Sequence, residues 1–123
     1  MKKAVITGST GSVGRAIIDK LVSENVEVTV LYHRGSKRID GIPSNELVKK
    51  ICCSLDEMKD FVPPKNDYEV FYHLAWAGTT GAARFDADLQ LKNIEYTLDA
   101  VELAKRMGCR KFIGAGSQAE YGL

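Results

Sequence analysis

No stretch of this chain approaches the roughly 18 consecutive apolar residues that a membrane-spanning helix needs. Its N-terminus has no secretory pattern either. Lys2 and Lys3 precede only Ala4-Val5-Ile6 before polar residues begin, too short an apolar core for a signal peptide. The three cysteines, Cys52, Cys53 and Cys109, contain no C-x-x-C pair. That odd count suits a reduced, cytoplasmic protein with free thiols. The only histidines, His33 and His73, stand far apart and near no cysteine pair, so no zinc site is readable. A net charge of +1 supplies no bulk attraction to nucleic acid or to a membrane surface. Any cationic function must be local.

What remains is a globular composition, 45% apolar and 27% charged over 123 residues, enough for one domain and one core. Apolar and amphipathic runs alternate along it. Residues 4–7 (AVIT) predict a short buried strand. Residues 12–24 predict a helix with Val13, Ala16, Ile17 and Leu21 on one face. Residues 26–32 (VEVTVLY) predict a second strand from their β-branched content. Residues 33–46, with Gly35, Gly41, Pro43 and Asn45, read as a loop. Residues 47–51 predict a short third strand. Ser54 and Glu57 have capping-box spacing at the head of a short helix, LDEMKDF, that Pro63-Pro64 ends.

Residues 69–75 predict a fourth strand. A long helix is expected from about residue 86 to Met107, with Leu91, Ile94, Leu98 and Val101 at helical spacing and Gly108 as its stop. Residues 111–116 predict a fifth strand. Strands alternating with helices imply right-handed crossovers and a parallel sheet covered on both faces. The fold class is therefore α/β, a doubly wound sheet in strand order 3-2-1-4-5. One domain, residues 1–123, is expected, without repeats or linkers.

The most informative stretch is TGSTGSVG, residues 7–14. It follows a predicted strand and opens a predicted helix, the setting in which a glycine triplet carries meaning. Gly8 and Gly11 would let backbone N–H groups approach a pyrophosphate closely. The helix beginning near Ser12 and Val13 would point its positive end there. Gly14 would remove a side chain where helix and strand pack. Thr10 and Arg15 flank the same turn.

TGSTGSVG resembles the T-G-x-x-G-x-x-G turn of the short-chain dehydrogenase/reductase superfamily. FYHLAWAG is similar to the H-x-A-A segment of that superfamily's extended branch. NIEYTLDAVELAKRMG resembles its N-x-x-G-T-x-x-L-L helix, with Asn93 and Thr97 in register and Tyr96 where glycine is usual. FIGAGSQAEYG resembles its S-S-x-x-V-Y-G segment. Together these cover nearly the whole chain, in order, and match the sugar-nucleotide epimerase/dehydratase group.

The resemblance implies an NAD(P)-binding Rossmann portion. It also implies a parent enzyme that passes hydride between nicotinamide and a nucleotide-activated sugar, as epimerase first and dehydratase or reductase next. It places Ser117 at the catalytic serine position, Ala75, Trp76 and Ala77 beside the cofactor, and Asn93 as a helix-to-strand hydrogen bonder. Leu55 stands near the adenine, although Ser54 occupies the position where that group usually has Asp. A Tyr-x-x-x-Lys pair is expected a couple of dozen residues beyond Ser117. None occurs here: positions four after Tyr32, Tyr68, Tyr72 and Tyr96 hold Ser36, Tyr72, Trp76 and Ala100. The chain is thus expected to be the cofactor-binding part of a longer enzyme and inactive alone. Its last strand, left at an edge, is expected to drive oligomer contacts, a homodimer among them.

Cofactor type is read from the end of the second strand. An NAD site puts an acid there for the ribose hydroxyls. Here stand Tyr32, His33 and Arg34, with no Asp or Glu between Glu27 and Asp40. Arg34, Lys37 and Arg38 form a cationic cluster, and a guanidinium matches a 2′-phosphate in charge and fork geometry. NADP is therefore expected ahead of NAD. Two rival readings are a non-catalytic NAD(P)-sensing or scaffold domain and a module for S-adenosylmethionine. The Arg34 cluster argues against the latter, which carries no phosphate.

Overall fold

The computed structural model describes residues 1–117 and 121. Five parallel strands, β1 (Lys3–Thr7), β2 (Glu27–Tyr32), β3 (Val48–Cys52), β4 (Val70–His73) and β5 (Lys111–Gly114), form one sheet in the order β3-β2-β1-β4-β5. Two α-helices, α1 (Ser12–Ser23) and α2 (Ala87–Arg106), complete the frame, with 3₁₀ turns at Ile39–Gly41, Leu55–Asp60 and Gly81–Phe85. β4 and β5 end two residues earlier than their apolar runs suggest. After β4 the chain leaves the sheet along the groove described below. The turns at Ile39 and Gly81 lie in segments whose Gly-rich composition masks them.

β1 shows why the sheet is central. Val5 packs with Leu31, Met58, Phe71 and Leu103 on one face, while Ala4 and Ile6 pack with Ile18, Leu21, Val28 and Val30 on the other. Both faces are dry, so the strand carries no polar alternation. Register brings the carboxyl ends level: Thr7 lies opposite Leu31 and His73, and His73 lies opposite Gly114.

The helix faces differ from those the apolar spacing predicts. On α1 the buried positions are Gly14, Ile18 and Leu21, whereas Val13 and Ala16 are exposed. On α2 the inner face is Asn93, Ala100, Leu103 and Ala104, while Leu91, Ile94 and Leu98 are exposed. Two alanines, Leu103 and one buried amide suffice to cover the sheet, and the Leu91, Ile94 and Leu98 stripe is left outside. Asp86 caps α2 by accepting from Leu89 N at 3.2 Å. The Ser54–Glu57 capping box forms at the head of the Leu55–Asp60 turn, which is 3₁₀ and not α.

All three cysteines are free, with Cys53 buried and its thiol pushed up to about 11 by burial. β5 is an edge strand, and Ile113 on it is 40% exposed.

Candidate functional site

At the carboxyl end of the sheet a hollow of about 590 Å³ runs over β3, β2, β1 and β4. A second of about 510 Å³ adjoins it on the far side of the glycine turn. Ser9, Thr10, Gly11 and Arg38 line both. This is where the strand order reverses, β1 lying between β2 and β4. Ligand crevices of doubly wound sheets form at such points.

The turn is held by close backbone approach. Gly8 has φ +72°, and a Cβ there would lie 2.6 Å from Ala75 N and from Leu74 C. A Cβ on Gly14 would lie 2.5 Å from Gly8 O. Only glycine satisfies both contacts at once. Thr7 supplies the matching tie to β4. Its hydroxyl accepts from Leu74 N and Ala75 N, each at 3.2 Å, and lies 2.9 Å from His73 Nδ1. A hydroxyl accepting twice has its one proton left to donate, so His73 Nδ1 is the acceptor. His73 is 5% exposed, and burial lowers its pKa below the ordinary 6.5, keeping the ring neutral. It is a clamp between strands, as its place at the core edge suggests.

At the N-terminus of α1 the cap residue Gly11 makes no side-chain hydrogen bond, and no acidic residue stands in the first turn. The helix's leading N–H groups therefore present an uncompensated positive end. Ser9 Oγ, in a residue only 1% exposed, has no hydrogen-bond partner among the described residues. Orphaned buried hydroxyls are rare. This one sits in the wall between the two hollows, with the donors of α1 beside it. The arrangement fits an oxygen-rich anion such as a pyrophosphate.

The expected site residues divide into two groups. Gly8, Thr10, Gly11, His33, Leu55, Ala75, Trp76 and Ala77 line the larger hollow, and Ser12 and Arg15 the smaller. Val13, Gly14, Arg34, Asn93 and Ser117 line neither. Gly14 acts by its missing side chain. Asn93 acts one step back: buried to 1%, it accepts from Ala77 N at 2.9 Å and donates to Ala77 O at 2.8 Å. This two-way bond fixes the loop after β4. Trp76 joins the same network through Nε1, which donates to Gln90 Oε1 at 2.9 Å. Ser117 is exposed and lies three residues beyond β5.

Arg34 departs most from expectation. Its guanidinium turns to Glu57, with Nη2 2.7 Å from Oε2, and its backbone N–H donates to Ser54 Oγ at 2.7 Å. The cations on the hollow walls are instead Arg15, Lys37 and Arg38. Arg15 donates to Gly41 O and is 3.7 Å from Asp19. The side chains of Lys37 and Arg38 have no ion-pair partner among the described residues, which leaves two uncompensated charges beside the glycine turn. The sequence alone marks Lys37 and Arg38 only as neighbours of Arg34. It does not single out Ser9 or Asp56, both of which line the larger hollow. Ser9 is readable only as a polar residue inside the glycine turn. Among the described residues no His/Cys/Asp/Glu group is arranged to hold a metal, and no helix is long and apolar enough to cross a membrane.

Fold and groove together define a Rossmann-type α/β domain with a glycine-rich turn where the strand order reverses. The chain belongs to the NAD dependent epimerase/dehydratase family, whose model matches residues 4–123. Among solved structures it resembles a UDP-galactose 4-epimerase, with 25% identity and a TM-score of 0.79, covering 98% of this chain and 39% of that one. It also resembles the epimerase Mth375 from Methanothermobacter thermautotrophicus, with 22% identity and a TM-score of 0.76, covering 96% of this chain and 36% of that one. A third is a short-chain dehydrogenase/reductase superfamily protein from Agrobacterium tumefaciens solved with bound NAD, with 24% identity and a TM-score of 0.70, covering 98% and 34%. The chain thus spans between 34% and 39% of the length of these structures. No curated protein sequence matches it significantly.

Proposed function

We propose that the groove binds a nicotinamide dinucleotide, NADP(H) ahead of NAD(H), and that the chain serves as the cofactor-binding part of an enzyme acting on a nucleotide-activated sugar. The observation that carries this is the turn itself: an uncapped helix N-terminus, the residue of the orphaned Ser9 hydroxyl and two cations without ion-pair partners among the described residues line one hollow. In this reading the pyrophosphate rests on the N–H groups at Gly11, Ser12 and Val13. The adenosine half would lie toward Tyr32, His33 and Leu55, with Asp56, which lines the same hollow, assigned to accept from the adenine amino group. The 2′-phosphate enters the smaller hollow among Arg15, Lys37 and Arg38, where guanidinium and ammonium donors suit a dianion.

The nicotinamide half lies toward Ala75, Trp76 and Ala77. Asn93 keeps that loop in place, and the small side chains of Ala75 and Ala77 leave room for ribose and phosphate. The bound dinucleotide supplies reversible hydride exchange with a substrate carbon. Ser117, by its match to the family serine, is assigned to hydrogen-bond the substrate oxygen. The sugar-nucleotide substrate class rests on family membership and on the likeness to a UDP-galactose 4-epimerase, with epimerisation the favoured reaction. A reading as a non-catalytic NAD(P)-sensing domain keeps every binding role above and drops only Ser117.

Trp76 is the only tryptophan in the chain and lines the groove. Titration with NADPH should quench its fluorescence to saturation, while S-adenosylmethionine should leave it unchanged. Unaltered emission at millimolar NADPH would refute the assignment.

A further inference from the structure

The cationic cluster is split by one carboxylate. Glu57 uses both oxygens: Oε1 accepts from Ser54 N at 3.0 Å and Oε2 from Arg34 Nη2 at 2.7 Å. Ser54 in turn accepts the Arg34 backbone N–H through Oγ. Residues 34, 54 and 57 are thereby tied into one unit at the carboxyl ends of β2 and β3. The consequence is electrostatic. Arg34 is neutralised, whereas Lys37 and Arg38, three and four residues on, keep their charge for the groove. Arg34 sits between His33, Lys37 and Arg38, all of which line the hollows. A flexible guanidinium at that position reaches the groove once it is released. Glu57 also adds negative charge beside Ser54, a groove residue, and like charge opposes a phosphate dianion.

We infer that Glu57 is a specificity-determining residue: by holding Arg34 it withholds a guanidinium from the 2′-phosphate and reduces the margin by which NADP is preferred over NAD. The inference rests on the 2′-phosphate reading given above. The pair is well exposed, with 70% of the Arg34 side chain and 38% of the Glu57 side chain accessible, so breaking it is inexpensive. A single substitution should therefore redirect Arg34 without unfolding the chain. Gln is the informative replacement. It keeps the side-chain oxygen that caps Ser54 N, since Gln serves at this capping-box position as Glu does, and it removes only the charge.

The test is calorimetric titration of wild type, Glu57→Gln, Arg34→Ala, Arg38→Ala and the Arg34→Ala/Glu57→Gln double variant with NADP and with NAD. Glu57→Gln should tighten NADP about three- to tenfold and change NAD by less than about twofold. Arg34→Ala alone should change NADP by less than about twofold, and in the Glu57→Gln background it should abolish the gain. An unchanged NADP-to-NAD ratio in Glu57→Gln would overturn the inference. So would an Arg34→Ala loss as large as that of Arg38→Ala. The Arg38→Ala arm separates the two levels: if NADP binding ignores Arg38, the 2′-phosphate reading fails whatever Glu57 does. Matching melting temperatures for wild type and Glu57→Gln would exclude a change in folding as the source.

Discussion

The glycine turn and the loop after β2 face the same groove and are built on opposite principles. The turn is fixed by backbone. Gly8 and Gly14 pack against main-chain atoms at distances no side chain tolerates, and the Thr7 hydroxyl ties two strands together in the dry interior. The loop is fixed by charge. Arg34, Lys37 and Arg38 are exposed; Lys37 and Arg38 line the groove, while Arg34 is held by one exposed ion pair. Steric constraint gives the turn one geometry. Weak, screened electrostatics give the loop a choice. Under the proposed function, the turn would determine where a dinucleotide lies, and the loop which one.

Breaking the turn should have the largest effect. Gly8→Ala adds a Cβ against Ala75 N at a left-handed φ, an overpacking and conformational cost of about 3 kcal/mol. Urea unfolding should show it as a lower midpoint, together with loss of Trp76 quenching by NADPH. Arg38→Ala should change the unfolding free energy by less than about 0.5 kcal/mol, as surface substitutions do. Equal destabilisation by both would erase the contrast between the two regions.

The next effect in size concerns the interior hydrogen bonds that aim the groove walls. Asn93→Ala strands the N–H and C=O of Ala77 and should cost about 2 kcal/mol. It should also weaken NAD and NADP alike, since it loosens the loop that both use. Selective loss of one cofactor would show that Asn93 reads the ligand directly.

A smaller effect separates the two cofactors. Arg38→Ala should weaken NADP about tenfold and leave NAD within about twofold, with the difference shrinking as salt rises. A salt-independent difference would mean the contact is not ionic.

The smallest effect is a pH dependence. His73 is held neutral by burial, its pKa below the ordinary 6.5. The unfolded chain then binds more protons than the folded one, so stability is complete above pH 6.5 and declines as pH falls toward the folded value. Protonation would also oppose the bond that Nδ1 accepts from Thr7. Replacing His73 with Gln should flatten that decline. An unchanged profile would place the acid sensitivity in other groups.

The place of the turn was legible because it follows from local rules, and the strand order because alternating strands and helices admit few doubly wound topologies. Continuous β-branched runs, a glycine triplet between strand and helix, and Gly108 after a helical run each fix their own element. The burial of α2 was not. Leu91, Ile94 and Leu98 have helical spacing and still face outward, while the sheet side is Asn93, Ala100, Leu103 and Ala104, of which only Leu103 carries a strong hydrophobic signal. Arg34 was misleading for a related reason. Its position after β2 is readable along the chain, but its partner Glu57 lies 23 residues away and becomes a neighbour only through the β2–β3 pairing. Ser9 shows the same limit, since an orphaned hydroxyl is a fact of three dimensions.

The most direct test of the division between turn and loop is the ratio of NADP to NAD dissociation constants for the unmodified chain at low and high salt. NADP should bind tighter by about tenfold at low ionic strength, with the preference collapsing toward unity in high salt while NAD binding persists. NAD binding as tightly as NADP at low salt would contradict it.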